Sequence, residues 1–383
     1  MDEEDSQIQK TQLAMTVPTT RVDVLVIGAG QAGLATGYRL AQEGVSFLIV
    51  DENQQIGDSW RKRYDSLTLF TPRSLNALPG KVLDGDPDGY PSRDEFADYL
   101  ANYALHYNLP VQTNFRIASL DIEAEALFWA EGADGSAILA RAVVVATGGF
   151  QVPVIPEIAG TFSPQVRQLT PETYKGPADV EHGPVVVVGD GASGRDIAFE
   201  LSAFKSVILS RGRNRRLLPE KLFGISMWKW LKVLGLLRAG PNSPLGRAMR
   251  KSDPFPSRER SDRDLEKRGV VLASRLIGAN GKRAVFADGS TLDVGAVIWC
   301  VGYHDDFTWL MIKAAKDQTG SIVVKDGRSP VPGLFFIGRP WQRNRASALV
   351  TGSTADAQRL VDDVEQYLSS TRQGEGSIAL VAK

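Results

Sequence analysis

A mixed α/β fold with two parallel-sheet halves is what this chain of 383 residues predicts, and three features carry the prediction. Gly28-Ala29-Gly30-Gln31-Ala32-Gly33 follows an apolar run, Val22 to Ile27, and opens a helix-like stretch. Gly189-Asp190-Gly191-Ala192-Ser193-Gly194 does the same after Val185 to Val188, 161 residues later (189 − 28). Each turn is followed by a second short apolar run, Phe47 to Val50 and Val207 to Leu209. Strand, glycine turn, helix, strand is the pattern of a βαβ unit whose first loop binds phosphate. Two copies make an internal repeat of a nucleotide-binding half, not a short-period solenoid.

The elements follow in order. A strand over 22–27, a helix over 31–43 ended by Gly44 and a strand over 46–50 form the first unit. Val143-Val144-Val145-Ala146-Thr147-Gly148-Gly149 reads as a buried strand ending in small residues. Pro153, Pro156 and Gly160 then suit a crossover between domains. The second unit has a strand over 185–188, a helix over 193–203 and a strand over 206–210. Val297-Ile298-Trp299-Cys300-Val301-Gly302-Tyr303 repeats the small-residue strand end. Pro332 to Gly338 returns the chain to the first domain, a helix from about Ser353 to Leu368 closes it, and 371–383 read as a loose tail. The expected division is 1–155 and 305–383 for one domain, with 156–304 inserted as the other.

The bulk numbers bound the function. Apolar residues make up 43% and charged residues 23%, the composition of an ordinary water-soluble domain. A net charge of −1 gives the whole chain no bias toward nucleic acid. The single cysteine, Cys300, excludes a disulfide framework and a redox cysteine pair. Its apolar neighbours predict burial. Three scattered histidines, His106, His182 and His304, argue against a His/Cys metal site, and no metal is expected. Residues 1–20 read as a disordered lead-in. No apolar run reaches the length of a membrane span, so a cytoplasmic location is the default expectation.

The two turns point to chemistry. Gly28 permits the bend, Gly30 lets backbone N–H groups approach a pyrophosphate, and Gly33 lets the helix pack close to the strand. Asp51, at the end of the second strand, is placed to accept from a ribose diol, with Glu52 as the alternative. Gly189, Gly191 and Gly194 repeat the arrangement, but no acid ends the strand over 206–210. Arg211 stands there instead, followed by Arg213, Arg215 and Arg216. A cation at that place pairs with a 2′-phosphate, which favours NADPH over NADH. A basic surface loop is the plainer reading of the same residues. Two nucleotide sites in one chain read as a flavoprotein that takes electrons from a nicotinamide.

One segment stands apart. Residues 211–251 hold eleven Lys/Arg against one acid, Glu220. Within it, Leu222 to Leu237 reads as a short apolar helix weakened at both ends by Gly224 and Gly235. A helix packed on the second domain, or a lid, is the first reading. Peripheral membrane contact or a dimer contact through 217–238 is the second.

With the turns placed, other motifs gain meaning. Gly57-Asp58-Ser59-Trp60-Arg61-Lys62-Arg63-Tyr64-Asp65-Ser66-Leu67-Thr68-Leu69-Phe70-Thr71-Pro72 resembles the G-G-x-W-x-x-R-Y-x-x-L-x-L-x-T-P run of flavin-containing monooxygenase-like oxidoreductases, close to their YUCCA-like branch. Tyr90-Pro91-Ser92-Arg93 with Phe96 and Tyr99-Leu100 resembles a second segment of that family, and Ala146-Thr147-Gly148 and Val301-Gly302-Tyr303 resemble its two hinges. The resemblance covers about 21–368 and implies FAD contacts at Ser59, Trp60 and Arg63, and Ser193 at the NADPH pyrophosphate. The plain alternative for Trp60 and Arg63 is a cation–π staple on the surface.

By the same resemblance the activity is an FAD-containing, NADPH-dependent monooxygenase. Hydride passes from NADPH to FAD, O2 is held as a C4a-hydroperoxyflavin, and a small soft nucleophile, sulfide or amine, is oxygenated. The hard chemistry is the cofactor's, so no catalytic residue is assigned. Thr71, Asn76 and Gln168 are candidates for polar contacts near the reacting atoms, and each serves equally as a turn or capping residue. One departure stands out: where the family fingerprint between the turns has glycine and histidine, this chain has Pro164 and Gln168. Glutamine hydrogen-bonds but carries no proton. That change leaves open an NADPH oxidase or flavin reductase that releases H2O2, and the basic segment leaves open a membrane-surface flavoprotein.

Overall fold

The computed structural model describes residues 19–123, 127–212, 215, 217–252 and 254–381. The first 18 residues, and with them most of the expected lead-in, lie outside the described residues. Thr19 and Thr20 do not belong to a lead-in: they begin strand β1 (Thr19–Ile27) and pair with Ala137 and Ile138.

The first unit is β1, α1 (Gln31–Gln42) and β2 (Phe47–Val50). Its helix stops where Gly44 takes a left-handed φ of 67°. A short helix, α2 (Asp58–Arg61), and a longer one, α3 (Arg93–His106), follow. Ser92 starts α3 with a capping box, its hydroxyl accepting from Glu95 N and the Glu95 carboxylate accepting from Ser92 N. Strands β3 (Val111–Gln112), β4 (Ile117–Ile122), β5 (Phe128–Gly132) and β6 (Ala137–Val145) complete most of the first sheet.

The sheet runs β3-β2-β1-β6-β5-β4. The β3-β2-β1-β6 half is parallel, and β5 and β4 join it antiparallel. Val24, Leu25 and Val26 of β1 are all fully buried, the signature of a central strand covered on both faces.

After β7 (Val152–Pro153) and β8 (Arg167–Leu169) comes the second unit: β9 (Val185–Val188), α4 (Ala192–Leu201) and β10 (Val207–Ser210). Short pieces follow: β11 (Leu217–Leu218), β12 (Lys221–Leu222), β13 (Ile225–Ser226), α5 (Met227–Val233), α6 (Pro244–Ser252), β14 (Phe255–Pro256) and α7 (Asp262–Lys267). Then come β15 (Val271–Ala273), the antiparallel trio β16 (Leu276–Asn280), β17 (Arg283–Phe286) and β18 (Thr291–Asp293), and β19 (Ala296–Trp299). The second sheet is parallel throughout, in the order β15-β10-β9-β19-β8. All its strands lie between β6 and β21 (Leu334–Phe336), which rejoins the first sheet beside β6. β20 (Tyr303–His304) pairs with β7, so the two crossing segments run side by side.

Two expectations need correction. The closing helix α8 spans Val350–Val381, so residues 371–381 of the stretch read as a loose tail are helical. The apolar helix read over 222–237 is not one helix. Phe223 (φ 53°) and Gly224 (φ 76°) make a tight hairpin loop between β12 and β13. Only then does Ser226, whose hydroxyl accepts from Trp228 N, start α5. That helix packs on the first sheet's side of the molecule: Met227, Trp228 and Leu231 bury against Leu75, Ala346 and Leu349. No helix among the described residues is long and apolar enough to cross a membrane.

Candidate active site

Both glycine turns lie at the carboxyl ends of central parallel strands, where strand order reverses and a crevice opens. Their geometry repeats closely. Gly28 N donates to Val50 O at 2.7 Å, and Gly189 N donates to Ser210 O at 2.9 Å. Gly28 (φ 110°) and Gly189 (φ 103°) are left-handed, and a Cβ there would meet Ala146 O at 2.7 Å and Cys300 O at 2.3 Å. A Cβ on Gly33 would stand 1.8 Å from Gly28 O, and one on Gly194 1.9 Å from Gly189 O. Only glycine lets these helices close on their turns. The two strand ends with small residues, at 146 and 300, are the matching neighbours.

Gly30 and Gly191 differ from the rest: a Cβ on either would meet nothing within 4 Å. Each is the N-cap of its helix, and neither α1 nor α4 has a side-chain cap or an acid in its first turn. Elsewhere Ser92, Ser226 and Ser261 cap α3, α5 and α7. The open N–H groups of α1 and α4, with the positive end of each helix dipole, suit an anion such as pyrophosphate. The acid inside the second turn does not spoil this. Asp190 is buried, and its carboxylate is answered by Arg195 at 3.5 Å and Arg215 at 3.7 Å.

Both turns face one cavity of about 1660 Å³, more than the roughly 300–1,000 Å³ of a single small-ligand site. Gly28, Gly30, Asp51, Glu52, Ser59, Trp60 and Arg63 line it, as do Gly189, Gly191 and Ser193. Gly33 and Gly194 lie just behind, at the helix–turn contacts. The Asp51 carboxylate accepts from Ala29 N at 2.7 Å and from Asn53 N and Nδ2 at 2.9 and 2.8 Å, which ties the strand end to the glycine turn. Glu52 is exposed and stands 3.9 Å from Arg116. Trp60 packs edge-on against Phe96. Arg63 does not staple Trp60: its guanidinium lies over the Tyr303 ring at 5.1 Å and 3.8 Å from Glu172. Burial raises the Tyr303 hydroxyl to about 12 and the Cys300 thiol to about 12, so both stay protonated near neutral pH. Cys300 is partly buried and lines the cavity.

The sequence candidates for reacting contacts separate here. Thr71 lines the cavity, but its hydroxyl donates to Asn76 Oδ1 at 2.6 Å. Asn76 is outside the lining, and its amide donates to Thr71 O and Pro72 O, fastening the turn. Gln168 is not in the cavity lining. It sits on β8, the edge strand, donating to Ala159 O at 3.0 Å and accepting from Trp299 Nε1 at 3.0 Å. Arg211 is likewise off the cavity wall, held by Asp262 at 2.6 Å. Among the cations that line the wall are Arg215, Arg250, Arg258 and Arg275. Arg213 and Arg216 lie outside the described residues.

Arg258 was missed from sequence. It donates to Thr68 O and Oγ1 at 3.2 and 2.9 Å and to Asp196 on α4 at 2.5 Å. The Tyr64 hydroxyl also reaches Asp196, at 3.4 Å. The run 57–72 is thereby bolted to the helix of the second turn. Arg258 and Glu259 are both left-handed, φ 47° and 59°, a strained loop that charge pattern alone does not announce.

The profile of the pyridine nucleotide-disulphide oxidoreductase family matches residues 25–218. A CzcO-like oxidoreductase of Geobacillus kaustophilus is 44% identical over 344 residues, 90% of this chain and 98% of the relative. A probable indole-3-pyruvate monooxygenase, YUCCA1, of Arabidopsis thaliana is 27% identical over 82% of this chain and 84% of its own length. The solved flavin-containing monooxygenase from Stenotrophomonas maltophilia superposes with a TM-score of 0.76 at 27% identity, over 91% of this chain and 99% of that one.

Proposed function

The chain belongs to the pyridine nucleotide-disulphide oxidoreductase family, as a flavin monooxygenase-like, NAD(P)H-dependent flavoprotein oxidoreductase whose cofactors are FAD and NADPH, and we propose that it is a monooxygenase of small soft nucleophiles, sulfides or amines. The observation that carries this reading is the pair of uncapped helix N-termini, each behind an open glycine, on one cavity. One site would hold the FAD pyrophosphate and the other that of NADPH. The domain division follows: 1–155 with 305–383 for FAD, 156–304 for NADPH.

The residues present fit both groups. FAD would be held by Gly28, Gly30 and Gly33, by Asp51 or Glu52 at the ribose, and by Ser59, Trp60 and Arg63. NADPH would be held by Gly189, Gly191, Ser193 and Gly194. Since Arg211 is engaged by Asp262 and Arg215 by Asp190, the 2′-phosphate falls to Arg250 and Arg275 on the wall.

FAD, when bound, supplies the acceptor for hydride and the reactivity toward O2. The chain's part is to hold two nucleotides in register and to exclude water. Arg258 does the first by tying Thr68 to Asp196. Arg63, stacked on Tyr303 and facing Glu172, ties the run 57–72 to β20 and to the loop after β8. Phe70, Trp309 and Leu349 supply apolar wall. A single cysteine, protonated and without a partner thiol in the sequence, does not support disulfide reduction. The oxidase alternative rests on the change to Pro164 and Gln168, of which Gln168 lies on the edge strand of the second sheet, outside the cavity lining.

The test is NADPH consumption in air by the FAD-loaded protein, with H2O2 assayed alongside, with and without a soft sulfur nucleophile such as methimazole. Oxygenated product with little H2O2 supports the proposal. Stoichiometric H2O2 across a panel of sulfides and amines, with no product, replaces it with an oxidase.

A further inference from the structure

We propose that the β12–β13 loop and the outer face of α5 form a docking surface for an anionic lipid bilayer. The unit has two faces. Inward, Met227, Trp228 and Leu231 are buried with Leu75 and Leu349. Outward, Leu222, Phe223, Ile225, Val233 and Leu234 are exposed, Phe223 at 87% and Val233 at 79%. The outer residues are continuous. Trp230 Nε1 donates to Leu222 O at 3.1 Å, joining helix to hairpin. Trp230, half-buried against the inner cluster, is followed at i+3 and i+4 by exposed Val233 and the C-cap Leu234.

Phe223 is the telling residue. It occupies the first loop position of a two-residue hairpin with φ 53°, followed by Gly224 at φ 76°. Such loops favour Asn-Gly or Asp-Gly, and a bulky aromatic there is strained. An exposed ring gains no packing from the fold to offset that strain. Its gain must come from outside the chain.

Charge says what the partner is. Lys221, Lys232 and Arg238 are exposed around the apolar face, and Lys229 at its side pairs with Asp88. The only acid in 211–251, Glu220, is engaged by the Tyr90 hydroxyl. A second copy docking symmetrically would set these cations against themselves. An anionic bilayer accepts both features: the aromatic and aliphatic side chains enter the interface, and the lysines lie among phosphates. The unit also backs the cavity wall. Trp228 packs on the Phe70 ring at 5.8 Å and donates to Phe70 O at 2.8 Å, and Phe70 lines the cavity.

This inference does not depend on the flavin reading. The full chain is co-sedimented at low ionic strength with vesicles of phosphatidylglycerol and phosphatidylcholine, and with phosphatidylcholine alone. Binding only to the anionic vesicles, released by salt, is expected. Phe223→Asp lowers the partition by about tenfold or more. Phe223→Asn loses binding similarly while keeping or raising the melting temperature, because asparagine suits the left-handed loop position. Three results overturn the proposal: no binding to anionic vesicles, equal binding by Phe223→Asp, or a concentration-dependent dimer dissolved by Phe223→Asp without vesicle binding.

Discussion

Replacing Gly191 by alanine adds one methyl where the protein leaves open space, and the consequence can be worked through. The N-cap backbone of Gly191, φ −71° and ψ −175°, is one any residue adopts. A Cβ there meets nothing within 4 Å. Alanine is a poorer N-cap than glycine by a few tenths to about 1 kcal/mol, and it regains about 0.4–1 kcal/mol from the unfolded chain. The free protein is therefore expected to melt at nearly the same temperature. The methyl points to where a pyrophosphate must approach, and forcing it against a ligand costs about 1–3 kcal/mol. That is about a ten- to hundredfold rise in the NADPH dissociation constant, measured by titration, with FAD content unchanged. Gly30→Ala is the mirror case, with FAD lost and the NADPH site intact. Gly194→Ala is the structural control: its Cβ would lie 1.9 Å from Gly189 O, so the fold itself gives way, by about 1–3 kcal/mol. The reasoning fails if Gly191→Ala leaves NADPH affinity unchanged, or if it is FAD that is lost.

Other outcomes follow from the same geometry. Arg275→Ala raises the NADPH KM by about tenfold and leaves the NADH KM unmoved, if one charged contact of about 1.5 kcal/mol is lost; equal effects on both would place the 2′-phosphate elsewhere. Trp228→Ala removes a side chain 1% exposed and its bond to Phe70 O, and costs about 3–5 kcal/mol in denaturant unfolding; a cost below 1 would mean that α5 is not docked as described. Cys300, with its thiol raised to about 12, resists alkylation at neutral pH until the protein unfolds. Because an unfolded thiol ionises near 8.5 and the folded one holds its proton longer, this group's contribution to stability is full below that pH and falls as pH rises above it. Rapid labelling of native protein would contradict this.

Much of the fold was legible because glycine chemistry is local. The turns at 28 and 189 demand left-handed φ and methyl-free approach, and sequence spacing reveals both. The strand over 185–188 matched to the residue, and the first helix ended one residue short of expectation, at Gln42. What stayed hidden was tertiary. Nothing near Arg211 indicates that Asp262, 51 residues on, will claim it. Gln168 falls on a three-residue edge strand, too short for alternation to say which side faces the cavity. In 222–237 the apolar pattern outweighed two local signals, a Phe-Gly loop and a serine N-cap at 226, and a hairpin followed by a short helix resulted. Arg258 reaches the site through a strained loop that has no sequence signature.

Hydride delivery inside one cavity can be observed directly. The purified protein, loaded with FAD and freed of oxygen, is mixed with NADPH while the absorbance of the bound flavin is followed. Full bleaching that is faster with NADPH than with NADH, and slowed in Gly191→Ala at fixed NADPH, is the expected result. A protein that holds FAD which neither nicotinamide reduces would contradict a shared cavity and the function built on it.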